Sequence, residues 1–151
     1  MIDIQFQTVG RERLTEVVAI NQQIFEGLDE WKAHSMAEYE EKLKDKEVTI
    51  FIALAEGRIV GDLIAYPRNG AFHCWMTGVL PEYRGQRIAT ELTDMAEEYA
   101  RKHGYTKMTA RVFNYSGRML RFKLRRGYMI TEVESHPTDI SKNAVFFELA
   151  L

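Results

Sequence analysis

The segment 79–89 carries the clearest chemical signal in this sequence, and it reads Val-Leu-Pro-Glu-Tyr-Arg-Gly-Gln-Arg-Ile-Ala. Pro81 ends a predicted strand, Gly85 permits a turn, and apolar residues then recur at helical spacing. The first amides of a helix have no intrahelical partner, and the helix dipole adds partial positive charge there. Because Arg84 and Arg87 stand beside these amides, the segment predicts a phosphate or pyrophosphate site. The alternative is an ordinary strand-to-helix turn with solvated arginines.

This segment resembles the pyrophosphate loop of the GNAT superfamily of N-acetyltransferases, whose pattern is Arg/Gln-x-x-Gly-x-Gly/Ala. Arg84, Arg87 and Ala89 occupy the three defined positions, and Arg87 replaces the usual glycine. The resemblance implies that acetyl-CoA is the co-substrate and that its acetyl group passes directly to a primary amine, without a metal. It also implies cofactor contacts on the loop, on the strand before it and after a later strand, at Thr77, Val79, Arg84, Gly85, Gln86, Arg87, Ile88, Ala89, Asn114 and Ser116.

Transfer to an amine benefits from a base, because an alkylammonium with a pKa near ~10.4 must lose a proton before it attacks. His73 is the candidate for this catalytic role, since an imidazole with a pKa near ~6.5 accepts protons at neutral pH. On a strand of period two, His73, Trp75 and Thr77 share one face, whereas Cys74 lies on the other and is predicted to be core. The alternative for His73 is a structural histidine bonded to a backbone carbonyl.

Two carboxylates, Asp62 and Glu38, are weaker candidates for the base and would relay a proton through water. Acceptor recognition in similar folds falls to the first two helices, the loop between them and the last hairpin. The resemblance therefore implies an acceptor site near His136-Pro137 and around one acidic and three aromatic side chains, Phe25, Glu26, Trp31 and Trp75. The acceptor would be a small-molecule or peptide amine. The alternative is a solvated helix connection with core aromatics.

A second GNAT motif, Asn-x-x-Ala-x-x-Leu-Tyr-x-x-x-Gly-Phe, is less regular here, and its tyrosine is often the acid for the departing thiolate. Gly127-Tyr128 matches the final pair, and counting back puts four residues at the asparagine, alanine, leucine and tyrosine places: Ser116, Met119, Phe122 and Lys123. Asn114 restores the asparagine only with a two-residue insertion. The tyrosine is missing in either register, and Tyr115 and Tyr128 are poor substitutes by position. This leaves a non-catalytic acyl-CoA-binding or sensor domain as the alternative function.

Length and composition indicate one globular domain over residues 1–151. Apolar residues make up 46% and charged residues 28% of the chain, as in ordinary globular proteins. No apolar run approaches the roughly 20 residues of a membrane span, and the N-terminus does not read as a secretory signal. The single cysteine, Cys74, excludes an internal disulfide and is typical of a reducing compartment. We therefore expect a cytoplasmic protein without a membrane partner.

The charge is distributed unevenly along the chain. Residues 1–83 hold 8 Lys and Arg against 14 Asp and Glu, whereas residues 84–151 hold 12 against 8. No acidic residue occurs between Glu98 and Glu132, a stretch with nine basic side chains: Arg101, Lys102, Lys107, Arg111, Arg118, Arg121, Lys123, Arg125 and Arg126. Such a tract suits the phosphorylated end of CoA, nucleic acid or a solvated helix face. It lacks the interleaved exposed aromatics of single-strand binders, so no nucleic-acid partner is predicted.

Hydrophobic periodicity and turn signals predict the element order β-α-α-β-β-β-α-β-α-β-β, an α+β fold. This is the GNAT element order, which implies a mixed, mostly antiparallel sheet with helices on both faces. Gly78 lies late in the fourth strand, where a glycine indicates a bulge or a close approach. In the family this strand splays from the next one, and the pantetheine arm of CoA lies in the gap. Exposed strand edges leave room for a homodimer.

Overall fold

The computed structural model describes residues 2–26 and 34–151, which form seven strands and four α-helices. The strands are β1 (Ile4–Val9), β2 (Thr49–Ala55), β3 (Arg58–Arg68), β4 (Ala71–Val79), β5 (Lys107–Phe113), β6 (Met129–Glu134) and β7 (Ala144–Ala150). The helices are α1 (Leu14–Ile24), α2 (Met36–Leu43), α3 (Ile88–Lys102) and α4 (Gly117–Arg125). The predicted order of elements is confirmed.

All the strands belong to one mixed sheet with the order β1-β2-β3-β4-β5-β7-β6. Every neighbouring pair is antiparallel except β4 and β5, which are parallel because the chain crosses over through α3. The two-residue turns Glu56-Gly57 and Asn69-Gly70 have positive φ at both positions, as tight hairpins require. Among helices in the described ranges, none is both long and apolar enough to cross a membrane.

Helices cover both faces of the sheet, as predicted. Successive residues of a strand point to opposite faces, and two neighbours on β3 identify which helix lies on which face. A Cβ at Gly61 would lie 3.1 Å from Ile88 Cγ2 of α3, whereas Asp62 accepts a hydrogen bond from Asn21 of α1. The guanidinium of Arg126, just after α4, is 2.7 Å from Asp94 of α3, so α4 is anchored to the α3 side.

Strands β4 and β5 pair over only three residues, Phe72–Cys74 with Met108–Ala110. We call this paired stretch the closed half of the β4–β5 junction, and we call the unpaired ends, residues 75–79 and 111–113, the open half. Gly78 lies in the open half, where a Cβ would be 3.0 Å from Ile24 Cγ2 of α1. The absence of a side chain at Gly78 therefore lets α1 approach β4 closely in the open half.

A β-bulge at Trp75 corrects the predicted alternation of side chains along β4. Cys74 is paired with Ala65 and Met76 with Ile64, so that Trp75 is an extra residue on this strand. An inserted residue reverses the alternation beyond it. Cys74 and Thr77, predicted to lie on opposite faces, consequently lie on the same side, with Sγ and Oγ1 3.3 Å apart. The prediction that Thr77 shares the face of His73 is wrong for this reason.

Candidate functional site

A cavity of about 500 Å³ lies in the open half of the junction. Its walls are the end of α1, the open end of β4, the open end of β5 and the first turns of α4. The charged residues that line it are all cationic: Arg84, Arg111, Arg118 and Lys123. Within the described part of the chain, no lining residue is acidic. Positive charge focused in a cleft attracts anions, so the cavity is suited to an anionic ligand.

The loop before α3 presents main-chain donors beside this cavity. The amide of Arg84 donates to Pro81 O (3.2 Å), and the first helical bond runs from the amide of Glu91 to Arg87 O (3.0 Å). Between these two, the amides of residues 85–90 form no hydrogen bond of ordinary geometry with an acceptor in the described structure. Unpaired amides at a helix N-terminus are the donors that bind phosphate groups.

The loop keeps a glycine-like backbone at the position where the motif has an arginine. Gly85 has φ +79° and Arg87 has φ +63°, so both lie in the left-handed region that favours glycine. The departure of Arg87 from the motif is therefore accommodated at the cost of backbone strain, which is often retained at functional sites. Of the predicted loop contacts, Arg84 and Ala89 line the cavity, whereas Gly85, Gln86, Arg87 and Ile88 do not.

Two of the predicted cofactor contacts are joined directly to one another. Arg84 Nε donates to Val79 O at 3.2 Å, so the guanidinium is held against the end of β4. Its remaining N–H groups stay available, because a guanidinium has five donors. Thr77 and Val79 also line the cavity, so the end of β4 contributes two of the predicted contacts and Arg84 is a third beside it.

The remaining two predicted cofactor contacts lie on the loop between β5 and α4. Ser116 lines the cavity. Asn114 does not, and its side chain donates instead to Ile140 O (3.1 Å). The backbone N–H of Asn114 donates to Asn143 O (2.8 Å). Asn114 therefore ties this loop to the start of β7, which holds the first turn of α4 in place.

His73 lies in the closed half and does not line the cavity. Its side chain is 3% exposed, and Nδ1 is 2.9 Å from Thr109 Oγ1 on β5. Burial, with a smaller contribution from nearby cations such as Arg68, lowers its pKa to about 4. The side chain is therefore neutral at neutral pH, bonded to a hydroxyl rather than to the expected carbonyl. This geometry favours the structural alternative over the catalytic one.

Neither of the other candidate bases lines the cavity. Asp62 is wholly buried, and Asn21 Nδ2 donates to its Oδ1 at 3.1 Å. Burial raises its pKa to about 8. Glu38 instead completes the capping box of α2 with Ser35. Hydrogen bonds lower the pKa of the Glu38 carboxyl, and the largest contribution comes from the side chain of His34.

The predicted acceptor residues are only partly brought together. Phe25 and Trp75 line the cavity, and the Trp75 ring packs edge-on against Tyr39 of α2 at 5.3 Å. Glu26 is exposed and does not line it, and Trp31 lies outside the described residues. A second cavity of about 280 Å³ adjoins the first at Arg111 and contains the predicted His136-Pro137 segment.

Sequence reasoning missed two side chains that the tertiary structure places in the cavity wall. Cys74 is buried in the core, as predicted, and it also lines the cavity. Lys123 is 2% exposed, and its Nζ has no hydrogen-bond acceptor among the described residues. The signal was present in the second motif, where this lysine stands at the tyrosine position.

The basic tract is dispersed by the fold. Three of its nine members line the cavity, Arg111, Arg118 and Lys123. Others are engaged with carboxylates elsewhere, for example Lys107 with Glu148 at 3.6 Å. The tract is therefore not one continuous surface.

Comparisons with known proteins agree with this geometry. The family model described as Acetyltransferase (GNAT) family matches residues 14–128. A comparison with curated proteins finds no match. The ribosomal-protein-S18-alanine N-acetyltransferase of Escherichia coli has a similar structure, with a TM-score of 0.83 and 13% identity over 98% of this chain and 94% of that one.

Two further similar structures contain ligands. Naa50 of Arabidopsis thaliana, in complex with the bisubstrate analogue CoA-Ac-MVNAL, has a TM-score of 0.74 and 15% identity over 98% of this chain and 99% of that one. A GNAT family acetyltransferase from Elizabethkingia anophelis with acetyl-CoA bound has a TM-score of 0.73 and 16% identity over 98% of each chain.

Proposed function

The chain belongs to the Acetyltransferase (GNAT) family, and we propose that it transfers the acetyl group of acetyl-CoA to a primary amine. The observation that carries this proposal is the row of unpaired amides at residues 85–90, beside a cationic cavity between two separated strands. The amides and Arg84 would bind the diphosphate of CoA. The open half of the junction would hold the pantetheine arm against Thr77 and Val79.

The chemistry of the site is suited to direct transfer. Acetyl-CoA supplies an activated acetyl group as a thioester. Cys74 is the one thiol of the chain, and it is buried and in contact with the Thr77 hydroxyl. We therefore propose that the acceptor nitrogen attacks the thioester itself, without an acyl-cysteine.

Proton removal from the acceptor is proposed to go to water. Neither a carboxylate nor a histidine lines the cavity in the described part of the chain, and His73, Asp62 and Glu38 are each engaged elsewhere. An amine that enters past Phe25 and Trp75 would lose its proton to solvent at the mouth of the cavity. The rate should then rise with pH as the free amine becomes more abundant.

The acceptor is proposed to be a small-molecule or peptide amine. Two of the similar structures are named for peptide or protein substrates, which supports a peptide amine as the first class to test. A cytoplasmic location and a homodimer stay predictions.

Ligand-induced stabilisation tests the cofactor site. Acetyl-CoA at about 100 times its Kd should add about 2.7 kcal/mol to the free energy of unfolding, which thermal denaturation measures as a higher Tm. Gly85→Asp should abolish this rise, because it sets a negative charge among the amides. Gly57→Asp is the matched control, since Gly57 has nearly the same φ, +80° against +79°, and the same open surroundings.

The outcomes separate clearly. If acetyl-CoA leaves the Tm of the wild-type protein unchanged at millimolar concentration, the site is not a CoA site. If both aspartate variants retain the rise, CoA binds without the loop amides, and the proposed geometry is wrong.

The sensor alternative is favoured by one observation, the absence of a base among the described lining residues. The two functions differ in turnover. An enzyme releases CoA thiol when it is supplied with a suitable amine, whereas a sensor binds acetyl-CoA tightly and releases none. A panel of peptide N-termini, lysine peptides, polyamines and aminoglycosides, with thiol release as the readout, distinguishes them.

A further inference from the structure

Arg111 stands where the two cavities meet, since its side chain lines both of them. We propose that its guanidinium binds a carboxylate of the acceptor, so that the acceptor is an amine with a carboxylate in the same molecule. This inference rests on the proposed function and names the substrate class of that site. A free amino acid and a peptide with an acidic residue beside its N-terminus are the two sources of this chemistry.

The guanidinium of Arg111 is accessible and has donors to spare. Within residues 2–26 and 34–151 it forms no hydrogen bond, and its one ion pair is with Glu134, whose Oε1 lies 3.9 Å from Nη2. That distance exceeds the range of a hydrogen bond. The side chain is 41% exposed, so a ligand can reach it. A guanidinium presents five donors in a planar fork, which fits the two oxygens of a carboxylate.

Two aromatic rings hold the guanidinium in the cavity wall. Its central carbon lies 4.8 Å from the centre of the Phe113 ring and 5.7 Å from that of Phe146, within the range at which ring faces attract cations. Phe146 is directly opposite Arg111 on β7, and Phe113 lines both cavities. A cation oriented in this way loses little conformational freedom when it binds an anion.

The charges of the two cavities disfavour a cationic acceptor. Glu134 is the one acidic lining residue in the described structure, and it already faces Arg111. Lys142 adds a cation to the second cavity, and Asp139 opposes it at 4.0 Å from outside the lining. His136 adds no charge, because its Nδ1 accepts from two backbone amides (3.0 and 3.2 Å) and is therefore unprotonated. A polyamine or aminoglycoside would meet excess positive charge here, which a carboxylate beside the amine offsets.

The place of Arg111 on β5 puts it near the reacting end of the pantetheine arm. Ala110 and Cys74 are the last paired residues of the junction, so Arg111 is the first residue of the open half on β5. The arm, as proposed, starts at the amides after Val79 and runs back along β4 toward Trp75, a span of about 13 Å at the rise of a strand. Its thioester then lies near Trp75 and Arg111. A carboxylate held by Arg111 keeps the acceptor nitrogen within reach of the thioester.

Matched pairs of amines test this inference by binding, without turnover. Each free amino acid is compared with its α-carboxamide, and the amidated peptide Met-Asp-Ala is compared with amidated Met-Asn-Ala. Isothermal titration calorimetry measures the Kd of each amine for the protein saturated with CoA. We expect the carboxylate member of at least one pair to bind at least about 10-fold more tightly, because the carboxamide loses the charge-assisted bonds. An α-carboxamide has the more abundant free amine, so this difference works against the expected result.

Arg111→Met removes the fork but keeps an unbranched side chain, and it should abolish the preference for the carboxylate member. Arg101→Met is the matched control, because Arg101 also has a 3.9 Å contact with a carboxylate, Glu98, and is 49% exposed, but lines neither cavity. It should keep the preference of the wild-type protein. Glu134→Gln frees Arg111 from its one carboxylate, and it should enlarge the preference about 3-fold.

Each outcome decides a separate point. If the wild-type protein does not bind CoA, the proposed function fails. If it binds CoA but prefers no carboxylate member, or if Arg111→Met keeps the preference, the role of Arg111 is overturned. Should Arg111→Met not fold, a preference that Glu134→Gln leaves unchanged or reduces overturns it instead. A preference confined to the free amino acids, or confined to the peptides, supports the inference and identifies the source of the carboxylate.

Discussion

The two halves of the β4–β5 junction differ in whether the polar groups in or beside them have hydrogen-bond partners within the protein. In the closed half, His73 and Thr109 satisfy each other across the paired strands at 2.9 Å. Beside the open half, the amides of residues 85–90 donate to no backbone carbonyl with ordinary geometry, and Lys123 Nζ has no hydrogen-bond acceptor, among the described residues. Unpaired amides at a helix N-terminus are the donors that bind anions, so the loop before α3 indicates where an anionic ligand would bind. His73, the candidate base in the sequence, lies in the closed half, where its side chain already has a hydrogen-bond partner.

The separation of the two halves has a local cause. The bulge at Trp75 bends β4 just after its last pair with β5, and Gly78 lets α1 pack tightly on the part that continues. A bulge redirects a strand and often lies next to a functional site. The inserted residue thus places Thr77 on the same side of β4 as Cys74, where both line the cavity.

The largest expected effect comes from filling the open half. Val112→Trp places a large ring in the cavity wall, and we expect the Kd for CoA to rise at least about 100-fold, or about 2.7 kcal/mol. Isothermal titration calorimetry measures the change. Val133→Trp is the control, since Val133 is an exposed strand residue on β6. Unchanged affinity in Val112→Trp would mean that CoA does not enter the open half.

The closed half should affect stability rather than turnover. The pKa of His73 is lowered to about 4 in the folded protein. The contribution of His73 to the free energy of unfolding is therefore fully present above the ordinary pKa of histidine, about 6.5, and it is lost as pH falls toward 4. The loss amounts to about 1.4 kcal/mol per pH unit between about 6.5 and 4. His73→Ala should therefore destabilise the protein most at pH 7 and progressively less in acid.

Urea denaturation over this pH range measures the effect, and thiol release measures turnover in the same variant. We expect kcat to stay within about 2-fold of wild type, because His73 does not line the cavity. A large fall in kcat, with a change in its pH profile, would restore the catalytic role that the sequence suggests.

Asp62 should make the stability of the protein depend on pH in the opposite direction. The effect of replacing it should be smallest at low pH. Burial raises the pKa of Asp62 to about 8 in the folded protein. The free energy of unfolding is therefore highest below the ordinary pKa of aspartate, and it falls by about 1.4 kcal/mol per pH unit as pH rises from about 4 to 8. Asp62→Asn removes this loss, and an asparagine amide can donate to the unpartnered Asn21 Oδ1. The variant should be more stable than wild type at pH 8, with the difference vanishing near pH 4.

Differential scanning calorimetry at matched ionic strength measures this difference. The Glu38→Gln variant is the control, because Glu38 is an exposed capping residue. If Asp62→Asn gains no stability at pH 8, the carboxyl is ionised in the folded protein, and its burial is compensated by a partner outside the described residues.

The sequence by itself determined the order of elements and the position of the loop before α3. Both depend on local rules, since turns at Gly57 and Gly70, the capping box at Ser35 and the apolar period of α3 act within a few residues. The separation of β4 from β5 was implied by the resemblance, and the pairing confirms it.

Only the tertiary structure decided which side chains meet at the cavity. A strict two-residue period cannot foresee the bulge at Trp75, because the insertion is defined by pairing with β3, a partner distant in sequence. The burial of Lys123 against the Tyr128 ring likewise depends on how α4 packs. Hydrogen-bond satisfaction is a property of the whole packed molecule, and for this reason the residues left for a ligand became visible only after folding.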